Sequence, residues 1–138
     1  ESSARFGDPE TQAVLARLRT PLSGLLMAAA TGTLAGVPRP EFSDDVAIAV
    51  VLASEGYPDA TVTGRAITGL DEVRDVSVAH AATAELRDEL LATGGRVLSV
   101  VATAPDFAAA RAKAYAALET IGLEGGHYRT DIAAKVAR

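Results

Sequence analysis

The chain has 138 residues, 49% hydrophobic and 22% charged, with a formal net charge of -5. That length supports one domain plus an appendage, and an acidic balance with scattered Lys and Arg argues against a nucleic-acid or anionic-membrane surface. The sequence contains no cysteine, which excludes disulfides and thiolate metal sites, and no apolar run reaches the ~18 residues of a membrane span. A reducing cytoplasm fits this composition.

Arg5-Phe6-Gly7-Asp8-Pro9-Glu10-Thr11-Gln12 is the first stretch with a structural instruction. Gly7 permits a turn, Asp8 offers a capping oxygen, Pro9 suits the first helical position, and Asp8 and Glu10 both favour the positive end of the helix dipole. The free backbone N–H groups of that helix, with Arg5 upstream, suit an anion such as phosphate. The helix carries Val14, Leu15 and Leu18 on one side and stops before Thr20-Pro21, where a second helix restarts. Its Leu22, Leu25, Leu26 and Ala29 form an apolar stripe, predicted to be core. Val37-Pro38-Arg39-Pro40 then holds the chain extended and marks a boundary.

Val46 to Ala53 is apolar on both alternating faces, which predicts a covered, central strand. Glu55-Gly56-Tyr57-Pro58-Asp59 ends it with a turn in which Tyr57 is a core plug in preference to a ligand-facing ring. Thr61 to Thr68 alternates loosely, and Val76 to His80 predicts a strand with His80 on the face of Val76 and Val78, as a hydrogen-bonded filler. Thr93-Gly94-Gly95 between Glu89–Ala92 and Arg96–Val101 predicts a hairpin, and no phosphate-loop pattern surrounds the two glycines. After Pro105-Asp106 a helix should run to about Ile121, with Phe107, Ala110, Ala114, Leu118 and Ile121 facing the sheet. Asp131 is placed to cap a last short helix reaching Ala137. The fold class is thus α+β: a helical stretch, then a mostly antiparallel sheet covered by one long helix.

The string Arg5 to Gln12 resembles the signature of the phosphoribosylamine-glycine ligase family, ATP-grasp enzymes of purine biosynthesis. The resemblance continues through Ala53-Ser54-Glu55-Gly56-Tyr57-Pro58, His80-Ala81-Ala82-Thr83, Thr93 to Val100 and Tyr128-Arg129-Thr130-Asp131-Ile132, and so spans nearly the whole chain. In that family these segments occur in the last third of a longer polypeptide, which implies a C-terminal fragment. Residues 1–37 would be the end of the ATP-grasp domain and 38–138 the C-terminal domain, related to the hybrid barrel of biotin carboxylase-like enzymes.

The implied reaction joins glycine to 5-phosphoribosylamine at the expense of ATP, giving glycinamide ribonucleotide, ADP and phosphate, with Mg2+ or Mn2+ in the full-length parent. Arg5 matches a position that would clamp the acyl phosphate, its alternative being an ion pair with Asp8 or Glu10. Glu1 and Ser3 occupy places where the family carries Glu and Asn as metal ligands; Glu1 matches, and its alternative is a solvated carboxylate. The neutral hydroxyl of Ser3 is the weaker ligand, so this departure points to a reduced metal site or to non-native residues at the start. Ala82 stands where the family has Gly, which puts any glycine-dependent backbone there in question. The resemblance further implies a cytoplasmic monomer whose substrates are held by upstream domains, and an isolated fragment without activity. The competing reading is a non-catalytic stand-alone binding or interaction domain.

Overall fold

The computed structural model describes residues 5–137. Helix α1, Glu10–Arg17, is followed by α2, Leu22–Ala30, and after the turn Leu34–Gly36 the chain enters strand β1, Val46–Ala53. Short strand β2, Ile67–Thr68, precedes β3, Ser77–His80, β4, Thr83–Leu86, and β5, Glu89–Ala92. The long strand β6, Arg96–Ala104, leads to helix α3, Phe107–Thr120, and to β7, Gly122–Leu123. Every paired strand is antiparallel, as an α+β reading requires.

The main sheet has the order β1-β6-β3, so the predicted central strand β1 lies at an edge and β6 takes the centre. The apolar run of β1 has another cause. Ile48, Val50 and Leu52 join Leu98, Val100 and Ala102 of β6 in the core beneath Ala110, Ala114, Ala117 and Leu118 of α3. On the alternate face α1 packs across the same two strands, where Ala16 lies beside Val101 and Thr103. Two covered faces therefore produce the same sequence pattern at an edge as at the centre. Helix α3 begins and ends close to its predicted limits; the Asp106 carboxylate accepts from the Ala109 N–H at 2.8 Å, satisfying one free donor of the first turn. Its small residues let the helix backbone come near the sheet, and Ala110 and Ala114 are fully buried.

The predicted hairpin across Thr93-Gly94-Gly95 does not form. β5 pairs instead with β4, through Arg87 and Asp88 at φ 51° and 66°. Two positive φ values are what a two-residue turn between antiparallel strands needs, but Arg-Asp is not the Asn-Gly pair that advertises it. Of the loose alternation from Thr61 to Thr68, Ile67–Thr68 forms a strand and pairs with β7.

Helix α2 departs from its expected role. Its buried residue is Ala28, while Leu26 and Met27 are 49% and 65% exposed, so the predicted stripe is not core. Helical periodicity shows that an apolar face exists, not what covers it. The segment is an excursion: Arg19 N–H donates to the Glu41 carbonyl at 2.9 Å and Ser43 N–H to the Arg17 carbonyl at 2.7 Å, closing the chain at its base.

At the other terminus, residues 132–136 form turns rather than the predicted helix, and Ala133 sits at φ 57°. Asp131 does not cap, because Arg129 takes its carboxylate through Nε and Nη2 at 2.9 and 2.6 Å. This segment is pinned to α3 by the Tyr115 hydroxyl, which donates to the Arg129 carbonyl at 2.6 Å, and by the Tyr115 and Tyr128 rings, 6.0 Å between centroids. The Arg111 guanidinium lies 4.4 Å over the Tyr115 ring and reaches the Thr130 carbonyl.

Candidate functional site

Because β1 and β3 both run antiparallel to β6, the end of β1, the end of β3 and the start of β6 meet at one end of the sheet. Four of the five sequence segments singled out above converge there. Ser54, 2% exposed, donates its N–H to the Gly95 carbonyl at 2.9 Å and its hydroxyl to the Gly94 carbonyl at 2.8 Å. A small polar residue straight after β1 thus fixes the double glycine, which is why that turn redirects the chain into β6. Ala82 N–H donates to the Arg96 carbonyl at 3.1 Å and the Ala82 carbonyl accepts from Thr93 at 2.9 Å. Ala82 does this without a positive φ, so the alanine fits, its Cβ lying against Gly94.

The fifth segment, Tyr128 to Ile132, is brought to the rim by His127, the residue just before it. Ala53 and His127 exchange two backbone hydrogen bonds of 2.8 and 2.9 Å. Gly56, at φ 75°, turns the loop back so tightly that its backbone touches Ala60, which only glycine permits. Glu55 pairs with Arg65 at 2.6 Å, and Arg65 also donates to the Glu124 carbonyl at 2.7 Å, tying this loop to the turn after β7. Tyr57 is not a core plug: its ring lies against Gly95 and remains 36% exposed. His80 is exposed too, with Nδ1 3.1 Å from the Thr83 hydroxyl, so its alternation with Val76 and Val78 does not carry it into the core.

The signature segment reaches this sheet end through Asp8. Its carboxylate lies 3.3 Å from Arg96 Nη2, and its other oxygen accepts from Gln12 Nε2 at 2.7 Å. Asp8 is therefore not the helix cap expected of it; α1 has no side-chain cap, and its first turn closes through Thr11 N–H to the Gly7 carbonyl at 3.1 Å. Arg5 is exposed and donates to the Phe6 carbonyl at 3.2 Å. Among the described residues it pairs with neither Asp8 nor Glu10, so the structural alternative for Arg5 is not what forms. Glu1 and Ser3 lie outside the described residues. The Asp8 to Arg96 contact had no local signal, although the i, i+4 spacing of Asp8 and Gln12 on a helix start foreshadows half of it.

The described residues do not fit a magnesium or manganese site. They contain no group of three or more His, Asp or Glu placed to hold an ion, and the Asp8 carboxylate within the signature is taken up by Arg96 and Gln12. A groove of about 440 Å3 lies between α1 and the start of β1, at the opposite end of that strand from the convergent segments, lined by Ala13, Val14 and Phe107 among others. At the rim, Asp131 is held below the usual carboxylate range, first by its hydrogen bond from Arg129 and then by the charges of Arg129 and Arg111.

Comparison with known proteins gives the family of the chain. Residues 47–135 match the family model described as phosphoribosylglycinamide synthetase, C domain. A phosphoribosylamine-glycine ligase of Leifsonia xyli is 63% identical over 98% of this chain and 34% of its own length. That of Streptomyces coelicolor is 56% identical over 99% of this chain. The crystal structure of the Thermotoga maritima phosphoribosylamine-glycine ligase superposes with a TM-score of 0.75 and 35% identity, covering 92% of this chain and 31% of that one. The chain spans about a third of the length of the curated relatives it matches. With the family segments gathered at one end of an antiparallel sheet and the family's C domain matched over residues 47–135, the chain belongs to the phosphoribosylglycinamide synthetase family.

Proposed function

We propose that this chain is the C-terminal part of an ATP-dependent ligase that joins glycine to 5-phosphoribosylamine, releasing glycinamide ribonucleotide, ADP and phosphate. The observation that carries the reading is the Asp8 to Arg96 pair, which brings the signature segment onto the sheet end where the other family segments meet. ATP, Mg2+ or Mn2+ and glycine would be held by residues outside those described, with Glu1 and Ser3 at their margin. Arg5, exposed and free of Asp8 and Glu10, would hold the acyl phosphate as charge develops on it. The enzyme would work in the cytoplasm as a monomer.

Residues 1–37 are assigned to the end of the ATP-grasp part and 38–138 to the C-terminal domain. The bare apolar surface of α2 and of the turn after it supports the division, since Leu26 and Met27 of the helix and Leu34 of the turn are 49%, 65% and 50% exposed and suit an interior contact with preceding chain. Helix α1 would join the two parts, because it lies on the sheet.

The test is a coupled assay for ADP with all three substrates. The longer protein carrying this chain should form ADP in a glycine-dependent way, and the 138-residue chain alone should not. No glycine-dependent ADP from the longer protein would leave the stand-alone, non-catalytic module as the better reading. Turnover by the short chain would overturn the assignment of ATP to residues beyond it.

A further inference from the structure

We infer that Asp8 and Gln12 are positioning residues: with Arg96 they form a clasp that holds the segment carrying Arg5 against the end of the main sheet. Three contacts make it. Gln12 Nε2 donates to Asp8 Oδ1 at 2.7 Å, Arg96 Nη2 faces Asp8 Oδ2 at 3.3 Å, and Arg96 Nη1 reaches the Asp8 carbonyl at 3.4 Å. Both carboxylate oxygens and the backbone of Asp8 are thereby engaged, by one partner four residues away and another 88 residues away.

The two partners are themselves fixed. Gln12 is held by α1, which packs on β1 and β6. Arg96 opens β6, its carbonyl accepting from Ala82 while the preceding Gly94 and Gly95 carbonyls accept from Ser54. Asp8 thus sits between two rigid anchors, and Arg5 is three residues from it. The Arg96 and Asp8 side chains keep 46% and 33% of their surface, and exposed ion pairs of this kind add little to stability. What the clasp supplies is location: it sets where the Arg5 segment lies relative to the Gly94-Gly95 turn. A group that must meet developing charge loses effectiveness when displaced by about an ångström. The catalytic consequence rests on the reading of Arg5 proposed above, whereas the ordering of the segment does not.

Two measurements separate these. In the 138-residue chain, 15N relaxation should give Phe6 and Gly7 order parameters near about 0.85, falling below about 0.6 in Asp8→Asn, in Arg96→Gln and equally in the double variant. Glu10→Gln should leave them ordered. Unchanged order in both single variants overturns the clasp. In the longer protein, Asp8→Asn and Gln12→Leu should lower kcat about tenfold with the KM for ATP within about twofold, and the swap Asp8→Arg with Arg96→Asp should restore part of it. Loss of kcat in step with loss of folded protein overturns the positioning role. Inactivity of the unsubstituted longer protein would instead count against the ligase reading, and the relaxation data would still decide the clasp.

Discussion

Tyr57 lays its ring over the backbone of Gly95, so close that a Cβ at Gly95 would meet Tyr57 Cε2 at 2.7 Å. The contact joins the loop after β1 to the turn before β6 and leaves no room for a side chain. Gly95→Ala should cost about 1–3 kcal/mol as the ring is forced aside, the usual range for overpacking. In a Tyr57→Ala background the same change should be nearly neutral. Urea unfolding of the four proteins checks this, and an equal cost in both backgrounds would assign the effect to the glycine backbone alone.

Leu118 and Leu26 should respond oppositely to truncation. Leu118 is 2% exposed beneath the sheet, so Leu118→Ala should cost about 2–5 kcal/mol. Leu26 is 49% exposed, and Leu26→Ala should stay within about 0.5 kcal/mol in this chain. If α2 docks on preceding chain as proposed, the same Leu26 change becomes clearly destabilising in the longer protein. Thermal unfolding of each variant in both contexts is the measurement.

Gln12→Glu should turn a hydrogen bond into a repulsion, because Gln12 Nε2 donates to Asp8 Oδ1 at 2.7 Å. Two carboxylates at that separation repel when both are ionised, an effect that Arg96 on the far oxygen of Asp8 offsets only in part, so the variant should lose stability relative to the parent chain at neutral pH and lose less in acid. The loss at neutral pH should be about 1–3 kcal/mol. Unfolding curves at pH 4 and pH 7 test the sign; equal losses at both would remove the charge argument.

Arg129 and Asp131 give the opposite slope. The Asp131 carboxyl is held low by its hydrogen bond from Arg129, so the folded state favours the ionised form. Its contribution is present above the ordinary carboxylate pKa and fades as pH falls through the lowered value. Both side chains are well exposed, so the effect on stability should be slight and is better read at the residue. A carbon-detected titration should show Asp131 titrating below the usual range, and Arg129→Gln should return it upward.

How far the sequence could be read depended on whether a feature was local. Helix α3 was legible because Ala110, Ala114 and Leu118 recur at helical spacing and Asp106 stands at its start. The strand β1 was legible as covered, though not as an edge, since alternation reports faces and is blind to neighbours. The β4 to β5 turn was hidden because Arg87 and Asp88 adopt positive φ without a glycine to announce it. Gly94-Gly95 misled for the converse reason: a strong turn signal whose carbonyls are claimed by Ser54, 40 residues earlier. At the candidate site, Arg5 was picked out by the motif around it. Arg96 was not singled out, because a pair spanning 88 residues leaves no periodic trace.

The bridge between Ala53 and His127 has a bearing on solubility. With β1 at the margin of the sheet, its outer backbone would offer a long, apolar template for another molecule's strand. The segment from His127 to Ile132 obstructs this: it hydrogen-bonds to Ala53 and brings Arg129 and Ile132 beside Ala49 and Val51. A chain cut after Gly126 should therefore keep its core yet self-associate with rising concentration, through strand addition along Val46 to Val51.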